Sequence, residues 1–225
     1  MSSQRPEIKE GELGPQDGLK DAGMSPSSHK KDEFVILEND VEIKFDVTAP
    51  VKCTTNLIQC RTDKDMSEFV FVQTSHKDNT VSFVISVPES GYYKFQIFAL
   101  PKSNESKSLP NVYNYLIHCK QALKTVYPYP KQFAIWKDGC YLYEPLMLNS
   151  SVRLRNVNFK LLVPKANAVA VVVEGEWFQL EKKGDDIWET KIDLDKWKGK
   201  DTKLTLNGNF EADETKFSTL LEYRL

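Results

Sequence analysis

Histidine and cysteine are scarce in this chain, with three and four copies among 225 residues. No C-x-x-C or H-x-x-x-H pair occurs, and no glycine-rich phosphate loop, so metal-site and nucleotide-binding signatures are missing. Neither sign of charge dominates: 30 basic residues stand against 32 acidic ones. There is no basic stripe with interleaved aromatics, which speaks against nucleic-acid binding. The longest fully apolar run, AVAVVV at 168–173, is far short of the roughly 20 residues that span a bilayer. The opening MSSQRPEIKEGELG lacks the apolar segment of a secretory signal. Four cysteines, at 53, 60, 119 and 140, are too few for a disulfide scaffold in a chain this long. Reduced thiols in the cytosol are expected.

Residues 1–33 contain no aromatic residue and six apolar ones. Such a segment buries too little apolar surface to offset its conformational entropy, which predicts a disordered tail. From Phe34 the texture changes. VEIKFDV (41–47) alternates apolar and charged residues, the period of a half-buried strand. EFVFV (68–72), TVSFVISV (80–87), SGYYKFQIFAL (90–100) and NVYNYLIHC (111–119) follow at regular spacing. KQALKTVYPYPK (120–131) breaks the pattern, and its prolines favour an extended connection. The second half resumes with FAIW and CYLYEPL about a KDG turn, then VRLRNVNFKLLV, the buried run AVAVVV, WFQLEKK, IWETKIDL, TKLTLNG and FSTLLEYRL. Asn207-Gly208 is a hairpin signal, and DLDKWKG (193–199) suits a short helical turn. Met1 reads as the start of a complete frame. The expectation is an all-β chain: a tail over 1–33, an immunoglobulin-like β-sandwich over 34–119, a linker over 120–131, and a second immunoglobulin-like β-sandwich over 132–225.

A nucleophile is the alternative to a binding role. WKDGCYLYEPL (136–146) sets Cys140 just after an Asp-Gly turn. A cysteine nucleophile needs a neighbouring base or a helix N-terminus. His29 falls in the tail and His76 in the turn SHKDN. His118 is next to Cys119 in a strand, where adjacent side chains point to opposite faces. Cys140 therefore reads as a strand residue of a hairpin, and the chain as no enzyme. Cys53 and Cys119 are spaced for an inter-sheet bridge, but no Trp lies between them as immunoglobulin domains usually have. Cys119 reads as a reduced core residue. The acids of FEADET (210–215) lack the spacing of a calcium loop. No cofactor and no metal are expected.

SGYYKFQIFALP, NVYNYLIHCK, WKDGCYLYEPL, AVAVVVEGEWFQLEKKGDDIWETKIDL and FSTLLEYRL occur in that order. Together they resemble the immunoglobulin-like C-terminal region of the kyphoscoliosis peptidase and hillarin family, from about Phe34 to Leu225. In that family a transglutaminase-like catalytic domain precedes these modules; here a largely polar stretch of 33 residues lies before them. The resemblance implies a cytoplasmic, cytoskeleton-associated binding module with a scaffold or filamin-type protein partner. AVAVVVEGEW…GDDIWETKIDL also resembles early-set starch- and glycogen-binding modules, which implies carbohydrate binding as the alternative. Asn207 and Asn209 are candidate polar contacts for a sugar. The aromatic candidates for contact are Trp136 and Tyr141 near the KDG turn, Trp177 after Gly-Glu, and Trp197 in the charged loop DKWKGK; Trp188 is read as core.

Overall fold

The computed structural model describes residues 4–149 and 151–225. The chain divides into two compact units, Met1–Pro128 and Tyr129–Leu225. It is all-β, and each unit is an immunoglobulin-like sandwich.

In the first unit the strands are β1 (Gly14–Pro15), β2 (Met24–Pro26), β3 (Glu33–Ile36), β4 (Asp40–Val47), β5 (Val51–Gln59), β6 (Lys64–Asp65), β7 (Val70–Ser75), β8 (Thr80–Ser86), β9 (Gly91–Pro101) and β10 (Asn111–Cys119), with an α-helical turn, α1 (Leu19–Ala22), and a 3₁₀ turn at Ser67–Phe69. One sheet runs β2-β4-β8-β7. The other runs β1-β10-β9-β5-β6, with β3 also beside β10. The period-two residues meet between the sheets: Phe83 packs edge-on against Phe95 with ring centroids 5.6 Å apart, and Phe45 against Tyr113 at 5.6 Å. Burying large aromatic surfaces from both sheets is the main source of stability here. The buried Tyr93 hydroxyl donates to the Glu89 carbonyl. Burial pushes its pKa up to about 12.

The expected tail is instead part of this sandwich from residue 4 onward. β1 pairs antiparallel with β10, β2 pairs with β4, and β3 pairs parallel with β10. Gln16 and Gly18 donate backbone N–H groups to Val112 and Asn111. Ala22 and Met24 are buried in the core, and the Tyr115 hydroxyl donates to the His29 carbonyl at 2.7 Å. Composition misjudges the segment because it needs no core of its own: its backbone groups are satisfied on strands already in place. Gly23, at φ 66, shows how tight the fit is: a Cβ there would meet the Thr48 hydroxyl at 2.3 Å. Residues 1–3 lie outside the described residues. The stretch 120–131 is shared between the units. Buried Asn39 accepts from the N–H groups of Leu123 and Lys124 and donates to the Lys124 carbonyl, and Val126 joins the first core.

In the second unit the strands are β11 (Lys131–Gln132), β12 (Tyr141–Glu144), β13 (Val157–Leu162), β14 (Ala168–Val173), β15 (Glu176–Gln179), β16 (Glu181–Gly184), β17 (Ile187–Ile192), β18 (Lys203–Asn209) and β19 (Ser218–Arg224). The sheets run β11-β19-β18-β14-β15 and β12-β13-β17-β16. Phe159 and Tyr223 meet edge-on across the interior, 6.3 Å apart. Three local expectations change. FAIW is not a strand: Ile135–Lys137 forms a 3₁₀ turn, and the Cys140 N–H donates to the Trp136 carbonyl. Cys140 therefore precedes β12 instead of sitting in a hairpin about KDG. Asn207-Gly208 lies inside β18, where a Cβ on Gly208 would come within 2.8 Å of the Phe210 ring; the glycine leaves room for that ring. WFQLEKK serves both sheets: β15 pairs with β14 and β16 with β17, and buried Leu180 marks the switch. DLDKWKG holds a 3₁₀ turn at Asp195–Trp197, as its sequence suggests.

Candidate interaction interface

The four aromatic candidates do not form one site. Trp136 and Trp197 are both 2% exposed. Trp197, expected at the surface, donates Nε1 to the Glu174 carboxylate at 2.9 Å and packs edge-on against Phe178. A Trp whose only polar atom finds a partner is stable inside, and the acceptor that draws it in lies 23 residues away. Tyr141 is half-buried beside the more exposed Tyr143 on β12. Trp177, on β15 of the other sheet, is 50% exposed and leans edge-on against Phe217 at 4.9 Å. Trp188 is core, as its alternation indicates. A sugar-stacking platform thus loses one of its two tryptophans. Asn207 and Asn209 are also buried and engaged within the unit: Thr219 donates to Asn207, and Asn209 donates to the Asp213 and Lys216 carbonyls. Near Tyr143 an open hollow of about 670 Å³ is lined by residues including Pro145, Met147, Val152 and Arg153.

The thiols are built for packing. Cys119 is buried, its Sγ 3.4 Å from the Glu38 carbonyl, and burial raises its pKa. Burial also raises that of half-buried Cys60, in spite of nearby Lys94. A raised pKa keeps sulfur protonated and poorly nucleophilic. Cys140 is buried, its Sγ 3.9 Å from the Ile135 carbonyl. His118 turns away from Cys119 onto the other face of the sheet, where it stacks on Tyr92 with centroids 4.1 Å apart. Asp213 of FEADET accepts from both the N–H and the hydroxyl of Thr215, which lowers its pKa. Among the described residues no disulfide forms, and no group of three His, Cys, Asp or Glu is placed to hold a metal.

The most exposed aliphatic residues cluster about β3. Phe34 and Ile36 turn into the core, so Val35 and Leu37 turn out; they are 51% and 71% exposed. The N–H groups of Leu116 and Lys120 reach the Asp32 and Ile36 carbonyls. In a parallel ladder this alternation leaves the backbone groups of Glu33 and Val35 facing away from β10. Among the described residues no strand pairs with that side of β3. Leu123, 57% exposed, is tied nearby through its N–H to Asn39, two residues after Leu37. This surface was missed in the sequence, although FVIL (34–37) carried a signal: four consecutive apolar residues cannot all point inward from a strand with one buried face.

The comparison with known families bears on this unit. Residues 20–130 match the family model described as KY-like, immunoglobulin-like domain. Over these residues the first unit is similar to KY-like immunoglobulin-like domains. The sequence resemblance to the kyphoscoliosis peptidase family, expected from about Phe34 to Leu225, is met by this match as far as residue 130, β3 included. No curated protein matches the chain. Among solved structures, a Lin-41 filamin domain is similar at 15% identity over 47% of this chain and 97% of that one, with a TM-score of 0.28. An E-to-A mutated variant of titin domains I67–I69 is similar at 11% identity over 91% of this chain and 65% of that one, TM-score 0.27. Titin domains Z1Z2, solved in complex with telethonin, are similar at 14% identity over 86% and 90%, TM-score 0.23. At such scores these likenesses carry no argument about this chain's function. Among the described residues no helix is long and apolar enough to cross a membrane.

Proposed function

We propose that this chain is a non-catalytic protein-interaction module that engages a cytoskeletal or scaffold protein by accepting one of its segments as an added strand on β3. The observation that carries this is the open side of β3, with outward backbone groups and exposed Val35 and Leu37. Such an edge is a template for another chain: main-chain hydrogen bonds give affinity and alternate side chains give selectivity. The protonated, packed thiols support a role without catalysis. The resemblance to the kyphoscoliosis peptidase family, matched over residues 20–130, supports a cytoplasmic site of action at the cytoskeleton and a filamin-type partner.

The test is a pull-down from striated-muscle lysate with the full chain and with Val35→Asp combined with Leu37→Asp, partners being identified by mass spectrometry. The parent is expected to recover a filamin-type or actin-associated protein, and the variant about tenfold less of it, with unchanged circular dichroism. Equal recovery by the variant, or no cytoskeletal protein on the parent, defeats the proposal.

A further inference from the structure

The outer face of the first unit's larger sheet is covered by a segment with little reason of its own to be there. Register places Ile58, Lys94, Leu116 and Glu33 in one rung across β5, β9, β10 and β3. Tyr115 and Ile117 point into the core, so Leu116 points out; yet it is 0% exposed. Its two rung neighbours are the anchors of the N-terminal segment. Arg5 makes a bidentate pair with Glu33, at 2.8 and 2.9 Å. Lys94 donates to the Glu12 carboxylate at 2.5 Å, and Asn114 donates to the Glu12 carbonyl at 2.9 Å. The chain between these anchors therefore crosses over Leu116.

The geometry suits this crossing. Two strand spacings are about 10 Å, within reach of the few residues from Arg5 to Lys9. A turn then closes, with the Glu12 N–H on the Lys9 carbonyl and the Lys9 N–H on the Glu12 carboxylate. Nothing from Pro6 to Gly11 is fully buried. Partly exposed ion pairs hold weakly and are screened by salt. The strap is thus positioned specifically and held lightly. Beyond its Arg5 end the same face continues, uncovered, through Val35 to Leu37.

We propose that Arg5–Glu12 is an internal ligand on a peptide-docking face centred on Leu116, and that an extended partner segment of the same chemistry displaces it. That chemistry is a cation for Glu33, an apolar or proline stretch for Leu116, and a carboxylate for Lys94. The strap, tethered at millimolar effective concentration, sets the threshold such a partner must exceed. The inference rests on the reading of the chain as an interaction module but uses the face of the sheet and not the edge of β3.

The test uses the full chain and a fluorescein-labelled synthetic peptide of residues 4–13. Arg5→Glu combined with Glu12→Lys opens the strap. The opened variant is expected to bind the peptide at least about tenfold more tightly than the parent does, because the tethered competitor is gone. Adding Glu33→Arg and Lys94→Glu to the opened variant is expected to abolish that binding. Hydrogen exchange over residues 5–12 shows independently whether the strap has left, and on the unmodified chain about 1 M salt should raise exchange there by shortening the Debye length to about 3 Å. Equal peptide binding by parent and opened variant, or strap amides protected alike at low and high salt, overturns the proposal. Since Val35 and Leu37 are untouched, failure here leaves the pull-down result standing, and loss of that result leaves this one standing.

Discussion

Truncating Leu116 to Ala asks whether the N-terminal strap is a true cover. On the outer face of a sheet such a substitution normally changes stability by no more than about 0.5 kcal/mol. Leu116 is nevertheless fully buried. Large-to-small changes at buried leucines cost about 2–5 kcal/mol, the lower end applying where the surroundings settle into the space. The residues above Leu116 are half-buried or exposed and free to settle, so about 2 kcal/mol is expected. For a unit of this size that lowers Tm by roughly 6–10 °C. The assay is thermal unfolding followed by near-ultraviolet circular dichroism, with hydrogen exchange of β10 beside it. Tryptophan emission is a built-in control, because all four tryptophans lie at or beyond position 136, in the second unit. Arg5→Ala should cost less than Leu116→Ala, as befits an exposed bidentate pair screened by solvent. A Leu116→Ala chain that melts within about 1–2 °C of the parent refutes the idea that the strap buries this side chain.

Trp197→Ala is expected to destabilise the second unit by about 3–5 kcal/mol through loss of a buried ring. Trp177→Ala should stay within about 0.5 kcal/mol of the parent. In glycogen co-sedimentation neither the parent nor the variants should pellet, and pelleting that depends on Trp177 would reinstate the sugar reading. Acid should free the strap. Lys94 holds the Glu12 carboxyl, and Arg5 the Glu33 carboxyl, below the ordinary value of 4.5, with Lys9 and His118 adding smaller pulls in the same direction. Groups whose folded pKa is depressed contribute fully above the ordinary value and lose their contribution as pH falls through the folded one. Burial lowers the pKa of His29 from 6.5, so the unfolded chain takes up that proton first and acid weakens the packing of this ring against Phe34. Exchange over residues 5–12, corrected for intrinsic rates, should rise from about pH 5 to pH 3; a flat profile contradicts the two ion pairs.

The core strands were legible because their signal is local. VEIKFDV alternates in sequence as it does in burial, with Ile43, Phe45 and Val47 inside. Trp188 could likewise be placed by its neighbours. The N-terminal segment was not legible because nothing in RPEIKEGE announces partners at Glu33, Lys94 and Asn114, up to 102 residues away. Trp197 followed the same logic: a charged loop implies solvent until the carboxylate of Glu174 is known to meet its indole. Asn207-Gly208 has the composition of a turn, but β14 and β19 on either side of β18 hold it extended. The candidate surface fell between these cases. The apolar run FVIL was visible, whereas the open edge that makes it a surface depends on which strands lie beside it.

The parallel seam of β3 and β10 also has a mechanical consequence. Once the elements before β3 have been drawn away, tension from the N-terminal side loads β3 at Glu33, while tension from the C-terminal side loads β10 at Cys119, the opposite end of the seam. The strands would have to slide past one another, so the rungs from Glu33 to Ile36 share the load at once instead of opening in turn. The antiparallel pair Gly14–Asn114 and Pro15–Tyr113 shares the same side of β10. Tension between the two ends of this seam would therefore meet shear resistance along the strand that carries Val35.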